Sequence, residues 1–201
     1  MKAPLLMLLA LLCVIPAQAQ KNTLLQAQRA QQAGDFAIAV QLYLPLAQAG
    51  DADAQFNLAE MIDEGEGALE DEREALKWYQ LSAAQGHAEA QATLGAFFAS
   101  GRGVEQDYVQ ALKWDRLAAA QGNARAQFNL SWLYEMALGT PKDLVGAFLW
   151  ASLAASHAVG KQKDVYKRSL DALAPQLNAE QRKQAKELEK LCSADPPSGC
   201  R

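Results

Sequence analysis

Apolar and polar positions in the middle of the chain alternate between two helical patterns separated by a glycine-containing break. Ala88, Ala90, Leu94 and Phe98, with Gln91 among them, recur at helical spacing. The pattern stops at Ser100-Gly101-Arg102-Gly103 and resumes near Asp107, with Ala111, Trp114, Leu117 and Ala118 along one side, up to Gly122. Aspartate at 107 is a strong helix start, because its carboxylate accepts from the free N–H groups of the first turn. Gly86 and Gly122 stand where a left-handed residue ends a helix. The spacing therefore predicts two helices and a tight loop within 88–123.

The same pattern lies, without a gap, 36 residues earlier and 36 residues later. Leu58, Leu94 and Leu130 coincide, as do Gln55, Gln91 and Gln127, and Trp78, Trp114 and Trp150. Asp71, Asp107 and Asp143 mark the start of each second helix, and Asp71 with Glu74 predicts a capping box. A period of this length is the mark of a stacked array, in which one helical pair cannot bury its apolar face alone but successive pairs bury each other's. Small residues share a phase at Ala59, Gly95 and Ser131, which lets helix axes approach to about 8–10 Å. The tryptophan stripe is expected in the core.

A shortened fourth copy precedes the three. A helix is expected from Asn22 to about Ala33, and another after Asp35 that contains Pro45, where the missing N–H is expected to kink it or move its end. After His157 the pattern decays into a linker, 158–165, then a helix from Tyr166 to Leu177. A charged helix follows from Asn178, with Gln181 completing a capping box. Its apolar side, Ala185, Leu188 and Leu191, suits a terminal cap.

The first residues change the expected compartment. Lys2, the apolar run Leu5–Ile15 and the small residues of Ala17-Gln18-Ala19 read as a secretory signal peptide cleaved after Ala19. The mature chain then has 18 basic and 23 acidic residues, Lys2 being the only charge removed. That balance, without a basic cluster, argues against a nucleic-acid partner. No further apolar run is long enough to span a bilayer. Cys192 and Cys200 form an even pair in an exported chain and are expected to be joined by a disulfide. The organisation expected is a leader at 1–19, a divergent N-terminal repeat at 20–51, and three repeats within 52–159 (52–87, 88–123 and 124–159). Capping helices at 160–191 and a disulfide-closed tail at 192–201 complete it.

These residues resemble the Sel1-like repeat family, a relative of the tetratricopeptide repeat whose 34-residue period does not fit. The family's marks are matched by Ala88, Ala90, Leu94, Gly95, Gly101, Gly103, Val104, Asp107, Ala111, Trp114, Ala119, Ala120 and Gly122. The chain departs at Ala59 and Ser131, and at Ala137 and Thr140 in the third loop. The resemblance implies an all-α, right-handed α-solenoid of antiparallel helix pairs with a C-terminal capping helix. It also implies a concave face that holds a protein or peptide partner. Exported bacterial members often serve envelope assembly, signalling or secretion.

No arrangement of residues points to catalysis, a cofactor or a metal. His87 and His157 fall at inter-repeat turns and are expected to be solvated. The acids Asp63, Glu64, Glu66, Glu70, Asp71, Glu72 and Glu74 lack calcium-loop spacing and read as a solvated loop with favourable helix-start charges. Positions four apart share a helix face, so Phe56 with Glu60 and Phe128 with Trp132 point the same way. First helices line the inner face of such arrays. Phe56, Asn57, Glu60, Phe128, Asn129 and Trp132, with Arg125 at the edge, are therefore the expected partner-binding surface; the competing reading has Phe56 and Phe128 filling space between layers. The function expected is a monomeric, exported, periplasmic module that scaffolds an envelope protein or peptide. The rival is an enzyme acting on the cell wall or on β-lactams, as linked to cysteine-rich members of the family. Those place cysteine pairs inside each repeat, and this chain does not.

Overall fold

The computed structural model describes residues 17–194. Residues 1–16 of the expected leader and residues 195–201 of the expected tail, Cys200 among them, lie outside the described residues. The helices are α1 (Ala17–Ala33), α2 (Phe36–Gln48), α3 (Ala52–Glu64), α4 (Glu72–Ala84), α5 (Ala88–Ser100) and α6 (Tyr108–Ala120). They continue as α7 (Ala124–Glu135), α8 (Leu144–His157), α9 (Gly160–Leu173), one 3₁₀ turn (Ala174–Gln176) and α10 (Ala179–Ala194). Each helix from α1 to α8 packs on the next, α10 packs back on α8, and no strand occurs among the described residues. The result is an α-solenoid.

The repeat writes the same local chemistry three times. Asp71, Asp107 and Asp143 cap α4, α6 and α8, each carboxylate accepting from two first-turn N–H groups. The backbone N–H of the same three residues reaches back to Ile62, Phe98 and Tyr134, closing each loop in one shape. At the first-helix starts, Asp51, His87 and Asn123 share a phase and an office: each side chain accepts from the N–H three residues on. His87 does this through Nδ1, placed where an aspartate or asparagine oxygen would be.

Successive repeats are stapled by a buried glutamine. Gln55, Gln91 and Gln127 donate from Nε2 to the carbonyls of Ala47, Ala83 and Ala119, eight residues back. With its nitrogen so placed, each side-chain carbonyl oxygen is left to accept, and the donors are Nε2 of Gln85, Nε2 of Gln121 and Nδ1 of His157. Both histidines thus make structural hydrogen bonds; His87 is mostly enclosed, against the expectation of a solvated residue, while His157 stays exposed as expected. The imidazoles stand at repeat positions occupied elsewhere by Asp, Asn or Gln.

The core runs as linked clusters along the array. One joins α1 to α5 through Tyr43, Leu58, Met61, Tyr79, Leu94 and Phe97. The next carries Leu112, Leu130, Leu133, Trp150 and Leu153, with Leu188 of α10 against it. Trp150 is buried because α10 lies on α8, whereas Trp78 and Trp114 are only partly buried, less enclosed than expected. Leu117, expected inside, is 45% exposed.

Other boundaries differ as well. Helix α1 begins at Ala17, ahead of the expected Asn22, and α2 continues three residues past Pro45. Residues 160–165, read as linker, form the first turns of α9. Asn178 and Gln181 make both reciprocal bonds of a capping box. At Asp71 only half of the box forms, because Glu74 turns to Lys77 and the indole N–H of Trp78.

Candidate functional site

Three successive first helices, α3, α5 and α7, contribute to one cavity of about 170 Å³. Its lining includes Glu60, Asp63 and Glu64 from α3, Tyr79 from α4, Thr93, Phe97 and Ser100 from α5, Arg102 from the following loop, and Arg125 from α7. The shared lining places these helices side by side on one face of the array.

Electrostatics divide this face into paired and unpaired charges. Arg102 reaches Asp63 at 2.8 Å and Glu72 at 3.0 Å, and lies 4.8 Å from the centre of the Phe97 ring. Asp63 is only 12% exposed at its side chain, so it is part of the wall and not the solvated loop acid expected. Burial raises its carboxyl above the ordinary range and Arg102 opposes that shift. Arg125 donates from Nη2 to Thr93 Oγ1 at 2.9 Å and to Glu89 Oε2 at 3.2 Å, while its buried Nε has no partner among the described residues. Glu60 and Glu64 make no ion pair among the described residues, and burial, followed by the nearby Glu64, pushes the Glu60 carboxyl up to about 7 against the opposing charge of Arg125.

Of the seven residues expected on the partner-binding surface, two line this cavity, Glu60 and Arg125. Phe56 stacks on His87, ring centres 4.6 Å apart, and tilts against Tyr79 at 5.8 Å. Phe128 stacks on Tyr166 of α9 at 4.5 Å. Both phenylalanines are therefore partly covered by their own chain. Trp132 stands 42% exposed, edge-on to Tyr108 at 6.2 Å. Asn57 donates to the carbonyl of Asp53, and Asn129 donates to Oδ1 of Asp115. In each case the amide nitrogen is tied back and the amide oxygen is left for another donor.

Asp115 and Tyr79 share a repeat phase, with Tyr43 before them and Ala151 after. Asp115 is fully buried, Oδ2 has no partner among the described residues, and burial pushes its carboxyl up to about 8 against the bond from Asn129. A carboxylate in an otherwise tyrosine or alanine phase was visible in the sequence as a departure, but nothing along the chain marked its contact with Asn129. Cys192 sits near the end of α10 against the second core cluster; its expected partner Cys200 is among the residues not described. Among the described residues, no group of three or more His, Cys, Asp or Glu is placed to hold a metal ion, and no helix is long and apolar enough to cross a membrane.

The profile of the Sel1 repeat matches residues 52–87, 88–123 and 124–158. Among solved structures, a Sel1 repeat protein from Oxalobacter formigenes is similar with a TM-score of 0.72 at 23% identity, covering 85% of this chain and 70% of that one. A protective antigen present in uropathogenic Escherichia coli strains, displaying the Sel1-like repeat fold, aligns at 26% identity and a TM-score of 0.52. That alignment covers 90% of this chain and 47% of the antigen, so the present chain spans about half its length. No curated protein matches.

Proposed function

The chain belongs to the Sel1 repeat family, whose members generally scaffold protein–protein interactions, and we propose that it is an exported, periplasmic scaffold that holds an extended segment of another envelope protein along its first-helix face. The observation that carries this reading is the convergence of α3, α5 and α7 on one cavity, the last of these helices also carrying the exposed indole of Trp132. An aromatic that is half exposed and edge-supported offers a large, rigid contact area, as interface anchors do. Asn57 and Asn129, each with its nitrogen engaged, present carbonyl oxygens suited to backbone N–H groups of an extended chain. Phe56, Glu60, Arg125 and Phe128 complete the contact surface, the two phenylalanines as its stacked walls.

Crosslinking of the tagged protein in its own envelope, followed by identification of what co-purifies, tests the reading. The Trp132→Ser, Arg125→Ala double variant is the comparison, since neither side chain is buried in the core. A partner captured by the wild type and lost from a variant of unchanged helicity is the expected result. Identical capture by both proteins overturns the first-helix face as the binding surface.

A further inference from the structure

We propose that the cavity between α3 and α5 is a subsite for a cationic side chain, lysine or arginine, carried by the segment that occupies the groove. The inference rests on the groove-binding reading and gives its partner a chemical requirement.

The charges of the cavity do not balance internally. Of its two guanidinium groups, Arg102 is engaged by Asp63 and Glu72, and Arg125 is engaged through Nη2 by Glu89 and Thr93 while its Nε stays unpaired among the described residues. Glu60 and Glu64, one helical turn apart on α3, line the cavity, and their carboxyl groups make no ion pair or hydrogen bond among the described residues, Arg125 opposing the raised carboxyl of Glu60 only from a distance. Glu60 is the decisive one, because it is partly enclosed. A carboxylate drawn out of water without a donor is unfavourable, and a like charge one turn away adds to the cost. An incoming ammonium or guanidinium group relieves both.

Tyr79 points to the same ligand independently. It is 2% exposed, it lines this cavity, and its hydroxyl has no hydrogen-bond partner among the described residues. The equivalent Tyr43 hydroxyl, one repeat earlier, donates to Gln31 at 2.8 Å. Its ring is buried while its hydroxyl is not sealed off, so a phenol lining the cavity with Glu60 supplies a second oxygen to an N–H donor. Phe97 also lines the cavity, its ring 5.5 Å from the Tyr79 ring and already under the Arg102 guanidinium at 4.8 Å, and the methylene stem of a long basic side chain can pack on such apolar lining. At about 170 Å³ the space is well below the usual range of a drug-sized pocket and suits one side chain. A metal ion is disfavoured by the donor geometry, since no three ligating groups converge among the described residues.

Binding of a cation requires Glu60 to be ionised. The groups around it are Asp63 and Glu64 on α3, Tyr79 on α4, Glu89 on α5 and Arg125 on α7, with Arg102 on the loop. The free protein holds the Glu60 proton up to about 7, so affinity falls as pH drops below that value, by up to about tenfold per unit for one linked proton.

The test is a nuclear magnetic resonance titration of the purified protein with three probes: the Nα-acetyl N-methylamides of lysine, arginine and norleucine. Saturable shifts of the Thr93, Ala96 and Ser100 amides are expected with the first two and not with norleucine. Glu60→Gln should weaken that binding about tenfold, a loss of roughly 1.4 kcal/mol, and Tyr79→Phe should weaken it with the fold intact. Equal shifts with norleucine, shifts scattered outside the cavity, or unchanged affinity in both variants overturns the subsite. The envelope crosslinking separates the two ideas. A partner captured by wild type and Glu60→Gln alike, but lost with Trp132→Ser, keeps the groove and removes the cationic subsite.

Discussion

Gly95 on α5 lies directly against the carboxyl group of Asp115 on α6, so closely that a Cβ at residue 95 would overlap Oδ1. That oxygen is the one that accepts from Asn129, so the glycine makes room for a buried polar contact between neighbouring repeats. In the flanking repeats the same two phases hold Ala59 with Tyr79 and Ser131 with Ala151.

Gly95→Ala is expected to destabilise the protein by about 1–3 kcal/mol through overpacking. Combined with Asp115→Ala it should cost less than the sum of the two single changes, because the clash disappears with the carboxyl group. Urea midpoints of the four proteins check this. Additive losses would mean that the two residues do not act on each other.

Asp115 predicts a pH dependence of stability. Its carboxyl holds a proton up to about 8 in the folded chain, while an unfolded aspartate ionises near about 4. Between those values the folded state binds the extra proton, so the contribution is fully present at the acid end and is lost as pH rises towards 8. The slope approaches about 1.4 kcal/mol per pH unit. Glu60, raised to about 7, adds in the same sense. The difference between wild type and Asp115→Asn isolates residue 115: the variant should match wild type near pH 4 and exceed it at pH 8. A constant difference across that range contradicts the assignment.

The loop glycines dock on the preceding repeat. A Cβ on Gly67 would come within 2.6 Å of the Phe36 carbonyl oxygen, and one on Gly139 within 2.7 Å of the Tyr108 oxygen. Gly50 has a positive φ too, but nothing lies within 4 Å of its missing Cβ. Gly50→Ala should therefore cost about 1 kcal/mol for the backbone alone. Gly67→Ala should cost at least about twice that, because backbone must move. Thermal denaturation of the two variants decides it, and equal losses would leave only the φ effect.

Ala137 occupies the helix-ending phase of Gly65 and Gly101 and takes the same left-handed backbone, at φ +58°. The third loop thus keeps its turn at the expense of strain. Ala137→Gly should raise stability by about 0.5–1 kcal/mol, seen as a higher urea midpoint. A lower midpoint would show that chain entropy outweighs the relief.

Where a role depends on what every repeat shares, the sequence was sufficient. Asp71, Asp107 and Asp143 cap as their spacing requires, since an N-cap acts on atoms two and three residues away. The 36-residue offset also forces neighbouring pairs to meet with the same faces, which made the array legible. The placement of Glu60 beside Phe56 and of Trp132 beside Phe128 followed from helical spacing alone. How far Phe56 and Phe128 are covered did not, because His87 and Tyr166 approach them from other helices.

What only the tertiary structure decided lies in the differences between repeats. His87 and His157 look like turn residues along the chain, yet a neighbouring amide group gives each a structural partner. The acid run around residue 63 reads as solvated until Arg102, 39 residues on, closes over Asp63. Tyr79 carries a free hydroxyl only because its neighbours across α3 and α5 leave it facing a cavity, while Tyr43 finds Gln31. The sequence by itself determined the period, the caps and the stacking order, which depend on contacts within a turn or at a constant offset. Charge pairing, burial of Asp115 and the unpaired Glu60 depend on which side chains three-dimensional packing brings within a few ångströms, and no periodicity encodes that.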